Sequence, residues 1–225
     1  MLFRSGAQQA VLATGEVDEA ALVREAAARA GVAYVAAPVS GNPGVVRAGN
    51  AVFAISGPPE ATDLAARLCG AIGRGSHRVG DGVEATVVKL ATNALLGVTM
   101  QTLAEIVVMG ESAGVARGAL LDFVNDSAVG SAFTRYKTPA LRDLDLTVTF
   151  TPEGQRKDLR LARAVAASGG VPTPVLGTTE QAYTDLIESG RGQGLDFAAL
   201  VLATAAEAGI DLGPTAPTET LVQPD

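Results

Sequence analysis

Cysteine is almost absent from this chain, and so is histidine. A single Cys69 excludes an intrachain disulfide framework, and Cys69 with the lone His77 cannot furnish a four-ligand zinc site of the Cys/His type. The chain therefore reads as metal-free, with Cys69 a core residue and His77 a strand residue. Also missing is any run of Lys and Arg, and the formal net charge is −7. A surface that tracks nucleic-acid phosphates needs cations in a row, so nucleic acid is excluded as a partner. The opening Met1-Leu-Phe-Arg-Ser-Gly6 is too short and too little apolar to be a signal peptide, which points to a cytoplasmic location. No strand pattern runs into a helix through Gly-x-Gly-x-x-Gly, the arrangement that seats a dinucleotide pyrophosphate on a helix N-terminus. Gly80-x-Gly82 and Gly190-x-Gly192-x-Gly194 lack that context and read as turns.

With 48% hydrophobic and 18% charged residues over 225 positions, the chain has enough apolar material for one or two folded domains. Its longest unbroken pattern runs from Gly80 to Gly114, without proline, and predicts one helix. Roughly thirty residues span about 45 Å, more than one small domain needs, so the helix is expected to bridge two. Apolar residues occupy nearly its whole circumference, which predicts burial on several sides and association with a second copy through the helical part. The apolar length is sufficient for a membrane span. However, Glu84, Lys89, Asn93, Gln101 and Glu105 recur every turn or two, no second span is present, and the membrane reading is set aside. Lys89 and Asn93, four apart, lie on one face with Thr86 and Thr92 beside them.

On either side of this helix the pattern changes. From Ala10 to Val79, short apolar runs (Ala10–Thr14, Ala33–Ala37, Ala51–Ser56, His77–Val79) alternate with helix-period segments (Asp18–Ala30, Glu60–Ile72), an α/β arrangement. Gly31 is a good residue to end the first helix, and Pro58-Pro59 to open the second. After Gly114 the pattern is helical throughout: Ala119–Ser127, Ser131–Arg142, Pro152–Ser168, Pro174–Ser189 and Phe197–Ala208. Thr151-Pro152-Glu153 marks a helix start, with Thr as cap and Pro at the first helical position. The expected organisation is an α/β part over residues 1–80, a long helix over 81–114, an all-α domain over 115–213 and a disordered tail over 214–225.

Three separated stretches carry chemistry. They are Ala36-Ala37-Pro38-Val39-Ser40-Gly41, then Gly80-x-Gly82 followed by Lys89-x-x-x-Asn93, and then Lys157-Asp158-Leu159. In this order and spacing, over about residues 10–212, the chain resembles the β-hydroxyacid dehydrogenase family, which includes 3-hydroxyisobutyrate dehydrogenase and resembles 6-phosphogluconate dehydrogenase. The resemblance implies a partial Rossmann domain, a long interdomain helix and an all-α C-terminal domain, with NAD or NADP as cofactor and a small 3-hydroxy acid as substrate. By the same resemblance Lys89 is the catalytic lysine that exchanges a proton with the substrate hydroxyl, and Asn93 holds the substrate. Ser40 and Gly41 form the loop for the substrate carboxylate. Thr14 stands near nicotinamide, and Lys157 closes over the cofactor. Asp158 reads as a helix-surface or structural acid.

The chemistry agrees with those roles. Oxidation of a carbinol requires the hydroxyl proton to leave, and a desolvated lysine amine has its pKa lowered toward the range where it can take that proton. A turn at the C-terminal end of a strand is where open α/β sheets bind ligands, and a Ser hydroxyl with a bare Gly N–H can donate to a carboxylate. The chain departs from the family at several positions: Ala36 replaces a common Asp, Asn42 a second Gly, Thr92 an Asn, and Val83 and Ala85 stand near common glycines. Asn42 and Thr92 border the substrate loop and the catalytic face, so the substrate is expected to differ from hydroxyisobutyrate. Met1 falls inside the family's Rossmann domain, and the chain is expected to be a fragment of a longer enzyme. The alternative is a non-catalytic, dimerising helical module that keeps the family core without a usable cofactor site. Imine-reducing relatives usually replace the lysine, whereas Lys89 is present.

Overall fold

A computed structural model describes residues 2–5, 8–11 and 17–214. The expected strand residue Thr14 and the tail beyond Pro214 lie outside the described residues. By contacts the chain divides into two units: Met1–Asn93 with Leu161–Pro172, and Ala94–Arg160 with Thr173–Asp225.

The first unit is built on a six-stranded mixed sheet. Strands β1 (Leu2–Ser5) and β2 (Gln8–Val11) form an antiparallel pair, and β2 runs parallel to β3 (Ala33–Ala36). The chain then continues through Ala37 and Pro38 into the short β4 (Val39–Ser40), and both β3 and β4 pair antiparallel with β5 (Val52–Ser56). Ala36 lies opposite Ser56, Val39 opposite Phe53 and Ser40 opposite Val52, with Ala54 N–H donating to Pro38 O between them. On its other side β5 runs parallel to β6 (Gly75–Gly80).

Alternation along β3 and β5 sends their side chains to opposite faces. Val35, Phe53 and Ile55 meet Ala61, Ala65 and Cys69 of α3 (Pro59–Gly70) on one face. Tyr34, Ala36, Ala54 and Val79 meet Ala27 of α1 (Val17–Arg29) and Ala85 on the other. Gly31 ends α1 with φ +68°, and prolines open α3, as the sequence predicts. The pattern shows neither β1 nor β4, nor the five-residue α2 (Pro43–Arg47), whose first turn is capped by Asn42 Oδ1 accepting from Val45 N–H at 2.9 Å. At four, two and five residues none of them is long enough to show a period.

The long helix α4 runs over Glu84–Ser112, 29 residues without a break. It is long and apolar enough to cross a membrane, and 50% of its most apolar window is buried inside the protein. Burial on several sides is the expectation; Leu95 is 65% and Met109 61% exposed, so one stripe of the helix lies uncovered in the single chain.

In the second unit the part of α4 from Ala94 onward is joined by α5 (Arg117–Asp126), α6 (Ala132–Arg142), α7 (Pro152–Ser168) as far as Arg160, α8 (Pro174–Glu188), a 3₁₀ turn (Phe197–Ala199) and α9 (Leu200–Ala208). Its core includes Met100, Leu121, Leu141, Leu159, Tyr183, Leu186, Leu200 and Val201. Gly97 brings α7 close to α4, since a Cβ there would collide with Gln155. Thr151 caps α7 by accepting from Gly154 N–H at 3.1 Å, the role its sequence context predicts. Arg117 is buried by donating to Arg142 O and Gly213 O, both at 2.7 Å, beside Glu111.

Candidate active site

The stretch Ala36–Gly41 follows β3 and runs along β5 into an exposed turn. Ser40 is the exposed last residue of β4. Gly41 has φ +145°, a conformation that side-chain-bearing residues rarely adopt, and a Cβ there would stand 2.8 Å from Val45 Cγ1. Only glycine fits this turn. Asn42, the departure from the family pattern, has a structural use as the cap of α2.

In the same unit, the first three turns of α4 carry Ala85, Lys89 and Asn93 at intervals of four. Each step of four advances about 6 Å along the helix and turns about 40° around it, so the three form one gently winding stripe. Ala85 has 0% exposure and packs against the face of the sheet formed by Tyr34, Ala36 and Val79. Lys89 is half-buried and Asn93 buried. Thr86 is buried next to Ala85, and Thr92 donates its hydroxyl to Val88 O at 2.8 Å.

Lys157 belongs to the second unit, on α7, where its exposed Nζ lies 3.4 Å from Oδ1 of Asp158. Asp158 itself is 1% exposed, an interior acid rather than a surface one. Thr14 lies outside the described residues.

The chain has three lysines, and the sequence reading singled out two. The third, Lys137, is buried in the second unit and donates to Asp196 Oδ1 at 2.6 Å and to Thr149 Oγ1 at 3.0 Å, with Phe197 beneath it at 4.4 Å. Asp196 also accepts from Thr149 N–H, Phe150 N–H, Ala198 N–H and the Thr149 hydroxyl. Burial pushes the Lys137 ammonium down from its ordinary value, against the opposing pull of Asp196. For Asp196, burial raises the carboxyl, but the bonds from Lys137, Thr149 and Ala198 outweigh it and hold it below the usual range. The local half of this arrangement was visible, since an Asp before an apolar helical run is a cap pattern. Its partner 59 positions away was not.

Residues 84–213 match the family described as the NAD-binding domain of NADP-dependent 3-hydroxyisobutyrate dehydrogenase, and residues 2–88 that of the NAD binding domain of 6-phosphogluconate dehydrogenase. The chain belongs to the β-hydroxyacid dehydrogenase family. The 2-(hydroxymethyl)glutarate dehydrogenase of Eubacterium barkeri is 30% identical to it over 170 residues, covering 75% of this chain and 55% of the relative. The 3-hydroxyisobutyrate dehydrogenase of Pseudomonas aeruginosa is 29% identical over 186 residues, 79% of this chain and 62% of the relative. Among solved structures, a 3-hydroxyisobutyrate dehydrogenase from Salmonella typhimurium shares the fold with a TM-score of 0.81 at 23% identity, over 89% of this chain and 70% of that one. The chain spans about half the length of the first curated relatives it matches, 55% and 56%.

Both matched families are described as NAD-binding, which gives NAD or NADP as the cofactor class. A pyrophosphate needs backbone N–H groups at a glycine-rich helix start. Among the described residues, α1, α2 and α3 are not entered through Gly-x-Gly-x-x-Gly, and α4 begins with Glu84, whose carboxylate folds back to accept from Gly82 N–H at 2.7 Å. A carboxylate at that helix start repels phosphate. The described residues therefore do not fit the pyrophosphate.

Proposed function

We propose that this chain carries the substrate-binding and proton-transfer residues of an NAD(P)-dependent dehydrogenase acting on a small 3-hydroxy acid. The observation that carries the reading is the stripe Ala85–Lys89–Asn93, anchored on the sheet face at Ala85, within the same unit as the glycine-only Ser40–Gly41 turn. In this reading the Ser40 hydroxyl and the Gly41 N–H donate to the substrate carboxylate. The Asn93 amide hydrogen-bonds the substrate, and the neutral Lys89 amine accepts the hydroxyl proton as the carbonyl forms. In the reductive direction the Lys89 ammonium returns that proton. Lys157 serves the cofactor, and Thr14 serves the nicotinamide end. We further propose a homo-oligomer formed through the helical unit, whose exposed Leu95, Met109 and Phe123 offer apolar surface.

Turnover decides the matter. It is measured in a hybrid in which the amino-terminal segment of the Eubacterium barkeri relative precedes this chain, with 3-hydroxyisobutyrate and 2-(hydroxymethyl)glutarate as trial substrates. Lys89→Met keeps the length and apolar stem of the side chain but removes the amine, and kcat is expected to fall by about 10² to 10⁴. Nearly intact turnover in Lys89→Met would leave the lysine as a side chain that merely extends to water. A wild-type hybrid that binds dinucleotide and turns over neither substrate would favour the non-catalytic module.

A further inference from the structure

The first turn of α4 lacks the side chain that ordinarily closes a helix. The leading N–H groups of a helix have no partner within it, and a Ser, Thr, Asp or Asn at the residue before the first turn usually accepts from one of them. Here that residue is Val83, whose carbonyl accepts from Thr86 N–H and Val87 N–H but whose side chain accepts nothing. The missing acceptor comes from the sheet. Ser56 Oγ, 29 positions away, takes the Ala85 N–H at 3.1 Å and donates its own proton to Gly82 O at 2.9 Å. Ser56 is 0% exposed, so water does not replace either bond. Next to it, Gly57 N–H donates to Gly80 O at 3.1 Å, tying the end of β5 to the end of β6.

The position of Ser56 gives these bonds a second consequence. It ends β5, the strand whose other end pairs with Ser40 through Val52. Measured from Ser56, the Val52–Ser40 pair stands about 14 Å along the strand. Measured from Ala85, Lys89 and Asn93 stand about 6 and 12 Å along the helix. The turn and the stripe therefore share one origin, the Ser56 hydroxyl. Apolar packing of Ala85 on the sheet is non-directional and resists small rotation weakly, whereas a hydrogen bond weakens steeply with angle. A helix held at its foot by such bonds keeps its rotational setting, and with it the direction of Lys89.

We propose that Ser56 is a positioning residue for Lys89: as a cap supplied from β5, it sets the axial and rotational register of α4 against the strand that holds the Ser40–Gly41 turn. The proposal rests on the reading of Lys89 as the proton-handling group, but its test needs neither substrate nor cofactor. The full chain is labelled with [13Cε]lysine, which gives three ε-methylene signals, one each for Lys89, Lys137 and Lys157. These are followed against pH, together with amide exchange at Ala85.

In Ser56→Ala, Ala85 exchange is expected to accelerate about tenfold, the usual effect of a lost cap. The Lys89 signal and its titration midpoint should move while those of Lys137 and Lys157 stay. The deciding variant is Ser56→Ala/Val83→Ser, which supplies a local cap without the link to β5 and keeps the helix start closed where Ser56→Ala alone does not fold. Protection of Ala85 should return while the Lys89 signal remains displaced. Recovery of the wild-type Lys89 signal in the double variant would reduce Ser56 to a cap and overturn the proposal, as would an unmoved Lys89 signal in Ser56→Ala. A Lys89 that proves idle in the turnover assay removes the catalytic reading and leaves this experiment intact.

Discussion

Lys89 and Lys137 are both lysines drawn away from water, and their surroundings give them different uses. Lys137 is held by the Asp196 carboxylate and the Thr149 hydroxyl inside the helical unit, and Lys89 sits half-buried on a stripe that also carries Asn93. Replacing Lys89 with Arg tests that difference, since guanidinium supplies charge but does not release its proton near neutral pH; turnover of the hybrid should be nearly as poor as in Lys89→Met. For the buried pair, Asp196→Asn leaves the Lys137 ammonium without its counter-charge, and urea unfolding should report a loss of about 3 to 5 kcal/mol at pH 7. The folded-state pKa of Asp196 is depressed, so its contribution to stability is present above the unfolded carboxylate value of about 3.9 and is lost as pH falls through the lower folded value. Wild type should therefore lose stability on the acid side more steeply than Asp196→Asn. Equal acid limbs in the two proteins would show that Asp196 is not ionised in the fold.

At the scale of the element, the Ser40–Gly41 turn and α4 were legible to different depths. The helix was readable because nearly thirty residues pass without proline and with apolar side chains at every helical spacing. The turn was readable as a turn, but its neighbours β4 and α2 were not, being two and five residues long. The demand for glycine at position 41 comes from φ +145° and from Val45 of α2, an element that pattern could not see. Gly41→Ala should strain the turn and push Val45 aside. In the hybrid the KM for a hydroxyacid is expected to rise about tenfold or more, with dinucleotide affinity little changed. An unchanged KM would separate Gly41 from the carboxylate site.

For the whole molecule, two quantities are open to direct measurement. The described residues lack a pyrophosphate cradle, so titration calorimetry of this chain with NAD or NADP should find affinity weaker than micromolar; micromolar binding would overturn that expectation. Exposed Leu95, Met109 and Phe123 on the helical unit predict a solution mass that is a multiple of 22.7 kDa by light scattering. A clean monomer at tens of micromolar would count against the shared-helix reading. Leu95→Glu with Met109→Glu should then shift a wild-type oligomer toward monomer without unfolding it, because both side chains are already exposed in the single chain.

By itself the sequence determined the α/β-then-α composition, the order of the longer elements, the long helix and the pairing of Lys89 with Asn93 on one of its faces. All of these rest on short-range spacing: the period of two or 3.6 residues, glycine and proline at boundaries, caps within four residues. Only the tertiary structure decided that Ser56 caps α4, that Lys137 belongs to Asp196, that β5 lies between the Ser40 segment and β6, and that Leu95 and Met109 are left uncovered. Those facts join residues 12 to 59 positions apart, or depend on what else packs against a helix face. A single hydrogen bond between distant residues leaves no periodic trace along the chain, because what selects its partners is the register of the sheet and the packing of the helices, set by the whole core at once.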